Sequence, residues 1–116
     1  MKYSLTNPQN SIWLTEKFYN GTSINNISGY TFISEKVNFD FLKKAINEIV
    51  KTNDSMRLKF KEEDSSCYQY IEEYKPFDIE ILGLSSEKDI NKKSLELAKI
   101  PFEIENNFLF KFTLFK

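Results

Sequence analysis

The 116 residues suffice for one small domain or one lobe of a larger one, and 41% hydrophobic with 16% aromatic content indicates a packed core rather than disorder. Sixteen Lys and Arg against seventeen Asp and Glu leave a net charge of −1, so no long-range field selects nucleic acid or an anionic membrane. With no histidine and only Cys67, the composition excludes a zinc cluster, a Ser-His-Asp or Cys-His triad and an intrachain disulfide.

The N-terminus, Met1 to Leu5, has no long apolar run before Asn7 and Pro8, and no stretch approaches the ~18 apolar residues of a membrane span. This reads as a cytoplasmic chain. Thr6 and Gln9 have the spacing of a capping box, with Pro8 in the first turn, and predict a helix from about Asn7 to Tyr19. Ile12, Phe18, Trp13 and Leu14 would give that helix its apolar face. Asn20-Gly21-Thr22 ends it, Gly21 being free to adopt a left-handed backbone.

Ile27 to Ser34 reads as a strand, with Tyr30 and Phe32 on one face and Thr31 and Ile33 on the other. The strongest helical period follows. Asn38 is the N-cap and Asp40 complements the dipole in the first turn. Phe39, Leu42, Ala45, Ile46, Ile49 and Val50 recur at helical spacing, while Lys43, Lys44, Asn47, Glu48 and Lys51 are assigned to solvent.

Beyond Asn53-Asp54 the period switches to two. Met56, Leu58 and Phe60 alternate with Arg57, Lys59 and Lys61. Glu62 to Ser66 is a turn and Cys67 to Tyr74 a second strand, giving a hairpin with a loop of several residues. Pro76 breaks it, and Ile79, Ile81 and Leu82 form a short strand before Gly83. Ser86 and Asp89 open a helix from about Glu87 to Lys99, with Ile90, Leu97 and Ala98 buried. Pro101 ends helical structure. In the last strand, Phe108 to Phe115, residues Phe108, Phe110, Phe112 and Leu114 share a face. The order is helix, strand, helix, hairpin, strand, helix, strand: an α/β (α+β) chain with helices on a mostly antiparallel or mixed sheet.

Generic chemistry is absent. Gly21, Gly29 and Gly83 make no phosphate loop. Arg57 is the only arginine among sixteen basic residues, which suits a site needing a planar, permanently charged fork. The alternative is that Arg57 shares a solvated strand face with Lys59 and Lys61. Cys67 reads as a half-buried strand residue.

Three segments, in order, resemble the opening of a condensation domain of nonribosomal peptide synthetases. Leu5, Thr6, Gln9, Ile12 and Trp13 fit Leu-Ser-x-x-Gln-x-x-Leu/Met-Trp. Thr52 to Phe60 resembles Arg-His-x-x-Leu-Arg-x-x-Phe, with Met56 for Leu, Arg57 and Phe60 matching, and Asn53 where the family has His. Pro101, Phe102, Glu103, Ile104 and Leu109 resemble Pro-Phe-Asp-Leu-x-x-Gly-Pro-Leu, with Asn107-Phe108 in place of Gly-Pro.

The resemblance implies the N-terminal lobe of the chloramphenicol acetyltransferase-like fold, as a single partial domain over residues 1–116. It implies a parent that joins acyl or aminoacyl thioesters carried on phosphopantetheine arms of carrier proteins into amides. The family's His-His-x-x-x-Asp-Gly motif is not among these 116 residues, so the isolated chain is expected to be inactive, with no catalytic residue, no metal and no directly bound cofactor. Arg57 would brace the aspartate of that motif; Gln9, Trp13, Met56, Phe60, Pro101 and Phe102 would be motif and core positions. Carrier proteins and the rest of the synthetase are the implied partners, and the apolar last strand predicts self-association. A second reading is a complete, non-catalytic module that binds a carrier or other protein.

Overall fold

The computed structural model describes all 116 residues, Met1 to Lys116. In chain order it contains β1 (Tyr3–Ser4), α1 (Asn7–Phe18), α2 (Phe39–Thr52), a 3-10 turn (Asp54–Arg57), β2 (Leu58–Glu63), β3 (Ser66–Ile71), β4 (Glu80–Leu82), α3 (Glu87–Ala98) and β5 (Thr113–Phe115). β1, β3 and β2 form an antiparallel sheet in that order; β4 and β5 form a separate parallel pair. The α+β class with mixed strand pairing is as expected.

The helix starts follow from local chemistry. Thr6 Oγ1 accepts from Gln9 N–H and Gln9 Oε1 from Thr6 N–H, closing the capping box of α1. The Asn38 side chain accepts from Phe41 N–H at the start of α2. At α3, Ser86 Oγ accepts from Asp89 N–H, but the Asp89 carboxylate accepts from the Ser85 hydroxyl instead of closing the box. Gly21 does take the left-handed backbone, at φ 78°.

Four side chains are buried: Ile46 and Val50 on α2, Ile79 before β4, and Gln69 on β3. The predicted apolar face of α1 is not buried. Ile12 and Leu14 are each 54% exposed and Phe18 is 81% exposed, because α1 meets the sheet through Gln9, Trp13 and Lys17 instead. Ile49 is half exposed for a related reason: the core side of α2 is narrower than the sequence stripe.

Several predicted elements change. Residues 27–34 form no strand. No backbone group from 27 to 37 is hydrogen-bonded to another backbone group, since no neighbouring strand offers a ladder, and propensity alone does not hold an isolated strand. The hairpin loop is tighter than predicted. Asp64 and Ser65, at φ 51° and 64°, make a two-residue turn between Glu63 and Ser66. Met56 and Arg57 lie in the 3-10 turn rather than on β2, and β3 ends at Ile71 rather than Tyr74. Of the predicted last strand only Thr113–Phe115 is paired. Phe108, Phe110 and Phe112 do share a face, with successive ring centroids 5.5 and 5.6 Å apart. No helix is long and apolar enough to cross a membrane.

Candidate functional site

The β2–β3 hairpin is where the three sequence motifs meet. The first motif reaches it through Gln9. Gln9 Nε2 donates to Gln69 Oε1 at 2.7 Å, and Gln69 Nε2 donates to Gln9 Oε1 at 3.1 Å and to the Ser4 carbonyl at 3.0 Å. This amide pair spends the polarity of buried Gln69 on tying α1 and β1 to β3. Trp13 lines the hollow beside it with Cys67, and the Lys17 ammonium lies 4.8 Å from the Trp13 ring centre while pairing with Glu62 at 2.6 Å. Burial pushes the Cys67 thiol up.

The third motif reaches the hairpin's other edge. Asn106 N–H donates to the Phe60 carbonyl at 2.8 Å, and Glu105 bridges Phe60 in parallel. Just upstream, Phe102 is half-buried and Pro101 exposed. The second motif is the hairpin's own entry. Phe60 sits on β2 opposite Gln69, and half-buried Met56 and Arg57 lie in the 3-10 turn that leads into it.

Arg57 is the most elaborately held side chain in this region. Its Nε donates to the Val50 carbonyl at 3.1 Å, an acceptor in the last turn of α2 that has no helical partner. Nη1 donates to the Glu72 carbonyl at 3.0 Å, and Nη2 donates to Asp54 Oδ1. The Arg57 carbonyl in turn accepts from Glu72 N–H at 2.9 Å. The side chain is only 11% exposed. The solvated-face alternative is therefore overturned: the 3-10 turn rotates Arg57 out of the Lys59/Lys61 alternation and under the end of α2. A guanidinium has five N–H groups, so one on each terminal nitrogen is left for another acceptor.

Two polar side chains in this framework escaped the sequence reading. Gln69 sits unremarked between tyrosines. Asn47, assigned to solvent, instead satisfies both ends of its amide. It donates to the Lys43 and Phe77 carbonyls, and accepts from Phe77 N–H and the Tyr74 hydroxyl, all within 3.1 Å. It thereby pins the Tyr74-to-Asp78 loop to α2. Beside it, the Lys43 ammonium donates to Asp78 and holds that carboxyl below its usual range. Periodicity cannot flag Asn47, because its partners outside α2, Tyr74 and Phe77, lie 27 and 30 residues away. Asn47→Ala is expected to cost about 1–3 kcal/mol by leaving Phe77 and Tyr74 unpaired, a loss that urea unfolding would register. No group of Cys, Asp and Glu side chains is arranged to hold a metal ion.

This is the architecture of condensation domains. The starter condensation domain of rhizomide synthetase RzmA superposes on 100% of the chain with TM-score 0.84 and 23% identity, the chain spanning 29% of that domain; a variant of the same domain gives 0.89 at 22% identity. The chain belongs to the condensation domain family, whose sequence model it matches over residues 1–116. It is 36% identical over 120 residues to surfactin synthase subunit 1 of Bacillus subtilis (strain 168), covering 97% of the chain and 3% of that protein. It is 32% identical over 104 residues to bacitracin synthase 3 of Bacillus licheniformis, covering 84% of the chain and 2% of that protein.

Proposed function

We propose that residues 1–116 act as the N-terminal lobe of a condensation domain within a nonribosomal peptide synthetase. The family match and the convergence of all three motifs on one hairpin support this reading. In the whole protein, the amine of an acceptor thioester attacks the carbonyl carbon of a donor thioester. The new C–N bond forms, the C–S bond breaks, and the pantetheine thiol leaves with the proton surrendered by the amine. The partners are carrier proteins bearing phosphopantetheine, together with the remainder of the synthetase, in the cytoplasm.

Within that reaction Arg57 is a positioning residue. The observation that carries this is its locked guanidinium, fixed on Val50, Glu72 and Asp54 with two N–H groups to spare. Those two can take a carboxylate of the catalytic loop in a charge-assisted contact that lysine cannot reproduce. The 116-residue chain has no histidine to orient the amine or manage its proton. Incubated with donor-loaded and acceptor-loaded carrier proteins, it should give no amide above background by mass spectrometry. Clear turnover would overturn the division of labour proposed here.

A further inference from the structure

We propose that Asn20 is a self-modification site: attack by the backbone nitrogen of Gly21 deamidates it, without an enzyme, to a mixture of aspartate and isoaspartate. Asn20-Gly21 is the one Asn-Gly pair in the sequence and lies in the turn that ends α1. The Gly21 nitrogen bonds to Cγ of Asn20 and the Cγ–Nδ2 bond breaks. The amide nitrogen leaves as ammonia, taking the proton that the Gly21 N–H gives up. Water then opens the five-membered imide at either of its carbonyls. The net reaction consumes one water, releases one ammonia and adds one negative charge to the chain's −1.

The first argument is elimination. The attack needs a side-chain amide that is free to rotate, followed by a backbone N–H that is free to move onto it. The chain has eleven asparagines. Hydrogen bonds hold the side chains of seven, from Asn26 on α3's last carbonyls to Asn107 on Glu105, which leaves Asn7, Asn10, Asn20 and Asn25. Asn7 precedes Pro8, which has no N–H to surrender. Asn10 precedes Ser11 inside α1, where the helix fixes the backbone. Asn25 has its Nδ2 buried, and the next N–H, that of Asn26, donates to the Ser23 carbonyl at 3.0 Å. Only at Asn20, which is exposed, are the side chain and the following N–H both without a hydrogen bond.

The second argument is the turn itself. Thr22 N–H and Thr22 Oγ1 both donate to the Tyr19 carbonyl, at 3.1 and 2.7 Å. With Gly21 at φ 78°, Tyr19 to Thr22 is a type II turn. The peptide unit between Asn20 and Gly21 is bonded at neither end, since its carbonyl accepts nothing and its N–H donates to nothing. Rotating that unit converts a type II turn to type I with the Thr22–Tyr19 bond kept. One sense of the rotation carries the Gly21 nitrogen past the Asn20 side chain. Glycine makes the rotation cheap because both signs of φ are open to it, and no atom stands within 4 Å of where a Cβ on Gly21 would be. These are bonds within four consecutive residues. The product places a carboxylate at the negative end of the α1 dipole, and isoaspartate also lengthens the turn's backbone by one carbon.

The test is peptide mapping by mass spectrometry of the 116-residue chain after timed incubation at mildly alkaline pH, with isoaspartate read by fragmentation. Asn20 should convert before every other asparagine, at a rate that rises with hydroxide because the attacking nitrogen must lose its proton. Its rate in the folded chain should lie within about tenfold of its rate in the urea-unfolded chain, since local opening at this turn costs little. Asn20→Gln should abolish the modification without altering the far-UV circular dichroism, because its imide ring would need a sixth member. Gly21→Ala should slow it about tenfold by crowding the attacking nitrogen and restricting φ. Three results would overturn the proposal: another asparagine converting first in the folded chain; an Asn20 that stays intact when folded while it converts in urea; or aspartate at position 20 with no isoaspartate, which direct hydrolysis without the imide would give.

Discussion

Arg57→Ala is expected to lower the free energy of unfolding by about 2–4 kcal/mol, the loss of a charged side chain's hydrogen bonds plus the desolvation of the groups it leaves behind. The guanidinium joins three pieces of chain that nothing else joins in this way: the end of α2 through Val50, the exit of β3 through Glu72, and the 3-10 turn through Asp54. Removing it strands two half-buried carbonyls. Of the three contacts, that to Asp54 weighs least, since Asp54 is 71% exposed and solvent screens it. Arg57→Lys should recover part of the loss, because one ammonium cannot reach both carbonyls in the geometry of a fork. Urea unfolding of the three proteins separates the cases. A change within about 0.5 kcal/mol for Arg57→Ala is what a solvated strand arginine would give, and would contradict the brace.

Ile79→Ala should be as severe, at about 2–4 kcal/mol. Ile79 is 2% exposed and is one of three apolar side chains that are buried at all, the others being Ile46 and Val50. It follows Asp78, which is anchored on Lys43, and leads directly into β4. A cavity there loosens the segment that runs from the loop held on α2 by Asn47 and Lys43 into β4. Phe18→Ala is the control. Phe18 is the larger side chain, but it is 81% exposed, so its loss should stay within about 0.5 kcal/mol. Thermal unfolding of both variants would check this; equal effects would mean that the burial pattern is wrong.

The helices were legible because their signals are local. Thr6, Asn38 and Ser86 cap them where the sequence places the caps, and the Phe39-to-Val50 period buries Ile46 and Val50 as read. The strands were less legible because a ladder needs a partner. Ile27 to Ser34 has the alternation of a strand and no neighbour to pair with, while Tyr3–Ser4 has almost no strand signal and pairs with β3. The tight hairpin turn hides for a different reason: Asp64-Ser65 lacks the glycine that normally advertises two left-handed residues.

The site was half legible. The uniqueness of Arg57 pointed to a special role, but its in-chain partners are two backbone carbonyls, at Val50 and Glu72, which leave no trace in side-chain identity. Asn47 and Gln69 were invisible because their function lies in long-range amide bonds, and an amide on a helix face or in a strand looks like any other polar residue.

The most direct measurement replaces the matching segment of surfactin synthase subunit 1 with residues 1–116 and follows amide formation by mass spectrometry, with and without Arg57→Lys. A competent lobe predicts product from the chimera, and a clear fall in rate at unchanged fold for the lysine variant. A correctly folded chimera that makes no product, or one indifferent to Arg57→Lys, would contradict the account.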